Sequence, residues 1–494
     1  MDKTKNNRNM LAHFVAIGSG TIINMLLGLI ATPIITRLVD PVEYGKLSIF
    51  ETYTSIALMV LCVGLDQALV RFFYEKDTLT YKQALLKFCF LLPLIISSVA
   101  AVGVIVIKLC FGILPDFDLV IVVFLCVNVM ATIWNRISMM LLRLTYQSKK
   151  YATCNVIHRA AYLIIALLLI FLIDDHDILM LVIATVLAWI IAAASATFFT
   201  KKFWKFGDAE KLTTKKEILK YGYPLIFSMG ITAIFQACDK LAIETYCDYA
   251  DVGVYASAVT LVSVFAIVQT TFNAMWAPIL VEQLTKDPEN KSMSQKANKY
   301  ITIVMFTIGI CLIFAKDLFA LLLGEKYREA AYILPFLAFN PIMYTISETT
   351  HPGITLVKKS GYGVLIAAVS CVANIIGNAI LVPVLGPRGA AISTGISYVI
   401  FFFMRTLISN KFYYVDFKLW KISIMIAVTA VQAYFNTFYG FGWISVITFL
   451  VSLATLVLLY FKDIVELIKL AIVQVKGLLG KKDTQESNLK EDEK

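Results

Sequence analysis

Apolar blocks of about 20 residues recur from one end of this chain to the other, the length a helix needs to cross a hydrocarbon core of roughly 30 Å at 1.5 Å per residue. Strands of a membrane barrel would be about half as long and would alternate apolar with polar positions, which these blocks do not. With 59% of its 494 residues hydrophobic, 16% charged and a mean hydropathy of +0.78, the chain has too little polar surface to cover a water-soluble globule. An all-α integral membrane protein follows.

Read between charged breaks, the blocks predict 14 transmembrane helices, at 11–36, 47–70, 84–108, 119–142, 155–173, 178–200, 217–239, 252–278, 300–323, 330–357, 361–384, 389–409, 419–438 and 441–461. Alternating the connections tests that count, because cytoplasmic connections carry an excess of Lys and Arg. One set, with both tails, holds 34 of the 44 basic residues and the other holds eight, while Lys87 and Arg136 fall inside spans. The bias puts both termini in the cytoplasm of a multi-pass protein of the cell (cytoplasmic, or inner) membrane. The net charge of +10 then meets anionic headgroups on the inner face, and no nucleic-acid partner is called for.

The basic N-terminal stretch leads into a long apolar block without a small-residue cleavage site, so it reads as a retained first span. After Phe461, apolar residues at helical spacing with lysines between them predict a helix lying on the inner surface, followed by a disordered tail from Lys481. The nine cysteines stand singly, mostly within apolar blocks, with no metal-ligand spacing, and read as packing residues. No phosphate loop, serine elbow or HExxH helix occurs, and no catalytic residue or metal ligand is assigned.

A repeat runs at an offset of about 208 residues. Glu43-Tyr44-Gly45 opens the second span and Asp251-Val252-Gly253 opens the eighth, while Lys149-Lys150 after the fourth is answered by Lys358-Lys359 after the tenth. An even number of crossings separates the copies, so two six-helix lobes share one orientation about a pseudo-two-fold axis along the membrane normal, with a central cavity between them. The domains expected are an N-terminal lobe (1–208), a C-terminal lobe (209–412), helices 13 and 14 (413–462) and a cytoplasmic interfacial helix and tail (463–494).

An Arg or Asp at the centre of a spanning helix costs about 2.5 to 3.5 kcal/mol on insertion scales, so such residues should face a cavity or a partner. Arg136 and Arg143 lie on one face of span 4; span 2 reaches the same level with Asp66, Gln67 and Arg71, and span 5 with His158 and Arg159. Arg71, Arg136, Arg143 and Arg159 together suggest a cationic cup for a diphosphate, whose oxygens suit the guanidinium fork. The structural alternatives are headgroup contact for the three at helix ends, and an ion pair to Asp66 or Glu51 for Arg136. In the second lobe, Asn340, Tyr344, Ser347, Glu348 and His351 form one polar stripe, with Pro341 and Pro352 freeing backbone carbonyls, and Ser228, Thr232, Gln236 and Asp239 form another. Glu348, His351 and Asp239 are the candidates for a coupling ion, either a proton or sodium, against the plainer reading of helix-bridging hydrogen bonds. Asn24 in span 1 and Asn374 and Asn378 in span 11 either bind sugar hydroxyls or hold helices together. Asp116-Phe-Asp118 and Asp174-Asp-His-Asp177 read as solvated turns.

Several segments resemble the polysaccharide flippases of the O-antigen and teichuronic type, within the superfamily of multidrug, oligosaccharidyl-lipid and polysaccharide exporters. They are Gly20 to Arg37 followed by Asp40-Pro-Val-Glu-Tyr-Gly45, Asp239-Lys240 with Val252-Gly-Val-Tyr255, Leu323-Gly-Glu-Lys-Tyr327, and Asn374-Ile-Ile-Gly-Asn378 running into Pro383-Val-Leu-Gly386 and Gly389-Ala-Ala-Ile-Ser393. The resemblance implies a V-shaped pair of lobes, alternating access, and a polyprenyl-diphosphate-linked oligosaccharide destined for lipopolysaccharide or capsule as cargo, with no cofactor beyond a coupling ion. The expected partners are that lipid-linked saccharide and membrane lipids, for a monomer working beside polysaccharide polymerase machinery. The alternatives are a cation-coupled multidrug extruder of the same superfamily and a membrane-embedded polymerase or transferase.

Overall fold

The computed structural model describes residues 27–172, 177–206, 212, 215–287, 289–357 and 361–491, with backbone alone at 266, 274, 468 and 470–491. Asn24, Lys358-Lys359 and the Asp174–His176 part of the second acidic turn lie outside the described residues. The rest is helical. The first half comprises α1 (Leu27–Leu38), α2 (Pro41–Leu61), α3 (Leu65–Phe72), α4 (Leu79–Phe111), α5 (Leu119–Leu144), α6 (Ser148–Leu172) and α7 (Ile178–Phe199). The second half comprises α8 (Lys215–Tyr246), α9 (Tyr249–Ser263), α10 (Ala266–Lys286), α11 (Ser292–Phe314), α12 (Lys316–Ala320), α13 (Ala330–Leu337), α14 (Phe339–Thr349), α15 (Pro352–Val357), α16 (Gly361–Leu385) and α17 (Pro387–Phe412), and α18 (Leu419–Phe438) and α19 (Trp443–Glu491) follow.

Among the described residues, ten helical segments are long and apolar enough to cross a membrane, with α13 and α14 together counted as one, or twelve if each of two bent pairs counts as one span. α18, 20 residues long, coincides with the expected thirteenth span, and α1 is the described end of the first. The bent pairs are α2 with α3, at 51°, and α9 with α10, at 47°, the two segments the sequence repeat sets against each other. Between α2 and α3 the chain passes through Val63 and Gly64 at φ 53° and 65°, which a continuous right-handed helix cannot accommodate. Pro41 opens α2, where a missing N–H costs nothing, and the Asp248 carboxylate caps α9 by accepting from the Asp251 amide at 2.9 Å. The expected tenth span is broken into α13, α14 and α15, the last break falling just before Pro352.

The tail differs from expectation. α19 has non-helical dihedrals at Tyr460, where the span was expected to end, but helix continues to Glu491 instead of giving way to disorder at Lys481. Leu, Lys, Gln and Glu dominate that stretch and are all good helix formers.

The two halves meet along α2, which packs against α8 and α9. α2 and α9 approach so closely that a Cβ on Gly45 would overlap the Tyr249 carbonyl and one on Gly253 the Pro41 carbonyl. These glycines are the matched residues of the repeat. Around the same end of the bundle, Lys326 pairs with Asp40 at 2.6 Å, the Tyr327 hydroxyl donates to the Val39 carbonyl at 3.1 Å, and the Tyr53 hydroxyl lies 3.0 Å from both Glu244 oxygens. Asp116 is exposed, as a solvated turn should be, yet it also accepts from the Tyr249 hydroxyl across the halves at 3.0 Å.

Candidate functional site

A cavity of about 560 Å³ opens within the first half, between α2, α3, α5, α6 and α7. Arg136 and Arg143 from α5 and Arg159 from α6 all line it. Gly28 of α1 leaves room for Arg159, whose guanidinium would stand 4.0 Å from a Cβ there. Arg71 does not line the cavity; it is exposed in the last turn of α3, beyond the 51° bend, with its guanidinium 5.9 Å from the Phe72 ring. The arrangement brings three of the four arginines together.

Arg136 is not free. Its Nε and Nη2 both reach Asp66 Oδ2 at 2.7 Å, and Asp66 is fully buried at the start of α3, where the partial positive charge of a helix N-terminus favours a carboxylate. The Gln67 amide donates to the same oxygen at 3.1 Å, whereas Asp66 Oδ1 has no hydrogen-bond partner among the described residues. The pair anchors Arg136 and cancels its charge, while the rest of its five-donor fork remains on the cavity wall. Arg143 is exposed and makes no ion pair among the described residues. Glu51 is the one acidic wall residue of this cavity among the described residues. The buried amide oxygens of Asn128 and Asn135, also on the wall, have no hydrogen-bond partner among the described residues and offer acceptors to water or a ligand.

A second cavity, about 620 Å³, lies in the second half against α8, α9, α14 and α17. Asp239 of α8 reaches it, largely buried and held by three other helices: Oδ1 accepts from the Asn378 amide of α16 at 2.8 Å, and Oδ2 accepts from the Tyr255 hydroxyl of α9 at 2.7 Å and from the Thr394 hydroxyl of α17. Asn374 and Asn378 are buried behind Asp239 and do not line the cavity; Asn374 donates to Ser393 at 3.3 Å and to Thr394 at 3.2 Å. Of the two readings open for these amides, the geometry is that of helix-bridging groups. Among the described residues no group of three or more His, Cys, Asp or Glu side chains could hold a metal ion.

Glu348 and His351 are also off the cavity wall. Glu348 Oε1 meets Arg405 Nη1 at 2.7 Å, and His351 Nδ1 lies 2.7 Å from the Glu348 backbone carbonyl. Arg405 also donates to Ser347 at 2.9 Å. Sequence reasoning missed Arg405, counting it among the cytoplasmic cations, although its four-residue spacing from Phe401 puts both on one helix face. It missed Lys240 for a similar reason: the predicted span stopped at Asp239, whereas α8 runs on to Tyr246 and carries Lys240 inside the bundle. Lys240 and Gln236 line both the 620 Å³ cavity and a smaller one of about 250 Å³, which shares Glu51 and Ser55 with the first cavity. The smaller cavity thus lies between the other two, with wall residues in common with each.

The fold is that of known membrane transporters. The lipid II flippase MurJ in an inward closed conformation superposes with a TM-score of 0.65, covering 91% of this chain and 100% of that one at 16% sequence identity. A multidrug resistance MATE family transporter of the MOP superfamily, inward-facing, superposes with a TM-score of 0.63 over 81% of this chain and 97% of that one at 15% identity. The "Probable low-salt glycan biosynthesis flippase Agl15" of Haloferax volcanii is 23% identical over 206 residues, which are 39% of this chain and 42% of that protein, so the chain spans less than half the length of this relative. The model of the polysaccharide biosynthesis protein family matches residues 10–284. The chain belongs to that family. It is a multi-pass integral membrane protein with the fold of these transporters.

Proposed function

We propose that the protein flips a polyprenyl-diphosphate-linked oligosaccharide across the cell membrane by alternating access, for cell-surface polysaccharide biosynthesis. The observation that carries this reading is the meeting of Arg136, Arg143 and Arg159 on one cavity inside a bundle of this family. Planar guanidinium groups bind phosphate oxygens through paired donors, and water-poor surroundings strengthen each contact. The diphosphate docks on Arg143 and Arg159 beside the anchored Arg136, the polyprenyl tail stays in lipid, and no covalent step is needed.

In this reading the chain has fourteen spans, α1 the first and α18 the thirteenth, with both termini cytoplasmic. Residues 1–208 and 209–412 act as two rocking lobes, with 413–462 and the 463–494 segment appended. The Gly45–Gly253 contact then lies at the external end, and the lobes are latched there. Asp239 is the coupling site, for a proton or sodium, since it faces the cavity and has no ion pair among the described residues, whereas Glu348 is neutralised by Arg405. The protein works as a monomer beside polysaccharide polymerase machinery.

The test is deletion in the native host followed by extraction of lipid-linked sugars. Intermediates accumulating on the cytoplasmic leaflet support flipping, and unchanged lipid pools with altered drug resistance would move the assignment to a cation-coupled extruder.

A further inference from the structure

The 620 Å³ cavity has a wall for which the diphosphate has no use. Phe235 of α8 stacks on Tyr398 of α17, with centroids 5.3 Å apart and planes 29° apart. Tyr398 meets Phe401 one helical turn on at 6.2 Å and 53°, and Phe401 stacks on Tyr344 of α14 at 5.7 Å and 15°. All four rings line the cavity and all four are half-buried. Arg405 closes the row, its guanidinium carbon 5.7 Å from the Phe401 ring and 5.9 Å from that of Tyr344.

Rings that served only to pack three helices would be covered on every side. Rings that served only as a lipid surface would not share their wall with Gln236 and Asn340. Each stacked pair covers one face of each ring, and all four side chains still contribute to the cavity wall. An aromatic face is electronegative, and the C–H face of a pyranose is apolar and weakly positive, so the two lie flat on each other. The sugar's hydroxyls then point outward, where amides and tyrosine hydroxyls can pair with them. An acyl chain would use none of the donor and acceptor capacity that Gln236 and Asn340 bring to this wall, which a saccharide's hydroxyls can use.

We infer that the Phe235–Tyr398–Phe401–Tyr344 row is a saccharide-stacking subsite, which holds the glycan in the second half while the diphosphate occupies the arginines of the first. This rests on the flippase reading. The smaller cavity lined by Glu51, Gln236 and Lys240 lies between the two, where one cargo spanning both halves would cross. Recognition is thereby divided, with phosphate on one lobe and sugar on the other.

The test compares two probes on the purified full-length protein: bare polyprenyl diphosphate, and the lipid-linked saccharide extracted from the deletion host. The wild type is expected to bind the saccharide-bearing lipid about tenfold more tightly, the worth of one good aromatic contact. Phe401→Leu and Tyr344→Leu, which keep most of the side-chain volume, are expected to lose that preference while binding the bare lipid unchanged, a result that also shows they are folded. Equal wild-type affinity for the two probes, or a preference that survives both substitutions, overturns the subsite and leaves the flippase reading standing. Failure of the wild type to bind either probe overturns both.

Discussion

Arg136 and Asp66 must be judged together. Removing one partner of a buried pair leaves an unpaired charge and costs about 3 to 5 kcal/mol, so Arg136→Ala is expected to lower thermal stability as well as export. The paired change Asp66→Asn with Arg136→Gln removes both charges at similar volume and is expected to regain most of the stability, as read by thermal unfolding in detergent. Arg143 gives the cleaner functional variant, because it is exposed on the cavity wall and makes no ion pair among the described residues. Arg143→Ala and Arg159→Gln are each expected to leave membrane insertion intact and to weaken lipid-diphosphate binding about ten- to hundred-fold, the worth of a charge-assisted hydrogen bond at about 1.5 to 3 kcal/mol. Of the candidate site, the residue types and their depth were legible, since an arginine two turns inside a span has few tolerable environments. Partners were not. The seven-residue spacing of Arg136 and Arg143 is a property of one helix and can be read from the chain, whereas exposure of Arg71 follows from a bend, and capture of Glu348 by Arg405 follows from how α14 and α17 pack.

Helix positions were legible for the same reason that membrane topology is, because hydrocarbon thickness sets a length and the sequence must fill it. The span expected at 178–200 is α7 at Ile178–Phe199, that at 361–384 is α16 at Gly361–Leu385, and that at 419–438 is α18. Where helices run past the hydrocarbon, hydropathy underestimates them: α8 extends seven residues beyond its expected end and carries Lys240 with it. Breaks within a span leave little hydropathy signal: that of α2–α3 appears only in the backbone, and of those in α13–α15 only the last is marked in the sequence, by Pro352. The α2–α9 crossing belongs to this scale. Gly45→Ala and Gly253→Ala force a methyl against backbone and are each expected to cost about 1 to 3 kcal/mol, as overpacking does. If the crossing closes the external end, both variants should also label faster at thiols introduced beside it, and unchanged labelling would show that α2 and α9 do not part there.

Over the whole molecule, two cavities of similar size, with a smaller one between them and contacts between the halves at one end of the bundle, suit a carrier in which access alternates. The Lys326–Asp40 pair is the accessible part of those contacts, being more than half exposed on both sides. Exposed pairs contribute little stability, about 0 to 1 kcal/mol, so Lys326→Cys with Asp40→Cys should fold normally. Joining the two thiols with a short bifunctional reagent should stop transport and cleaving the link should restore it, whereas transport undiminished by the link would exclude rocking at this end. In the proposed cycle the arginine cavity carries a lipid diphosphate from one leaflet to the other. The most direct measurement of this transfer is a leaflet-protection assay in proteoliposomes loaded with the host's lipid-linked saccharide. The account predicts transfer by the wild type and loss of transfer in a folded Arg143→Ala, Arg159→Gln double variant; equal transfer by that variant, or none by the wild type under an imposed proton or sodium gradient, would contradict it.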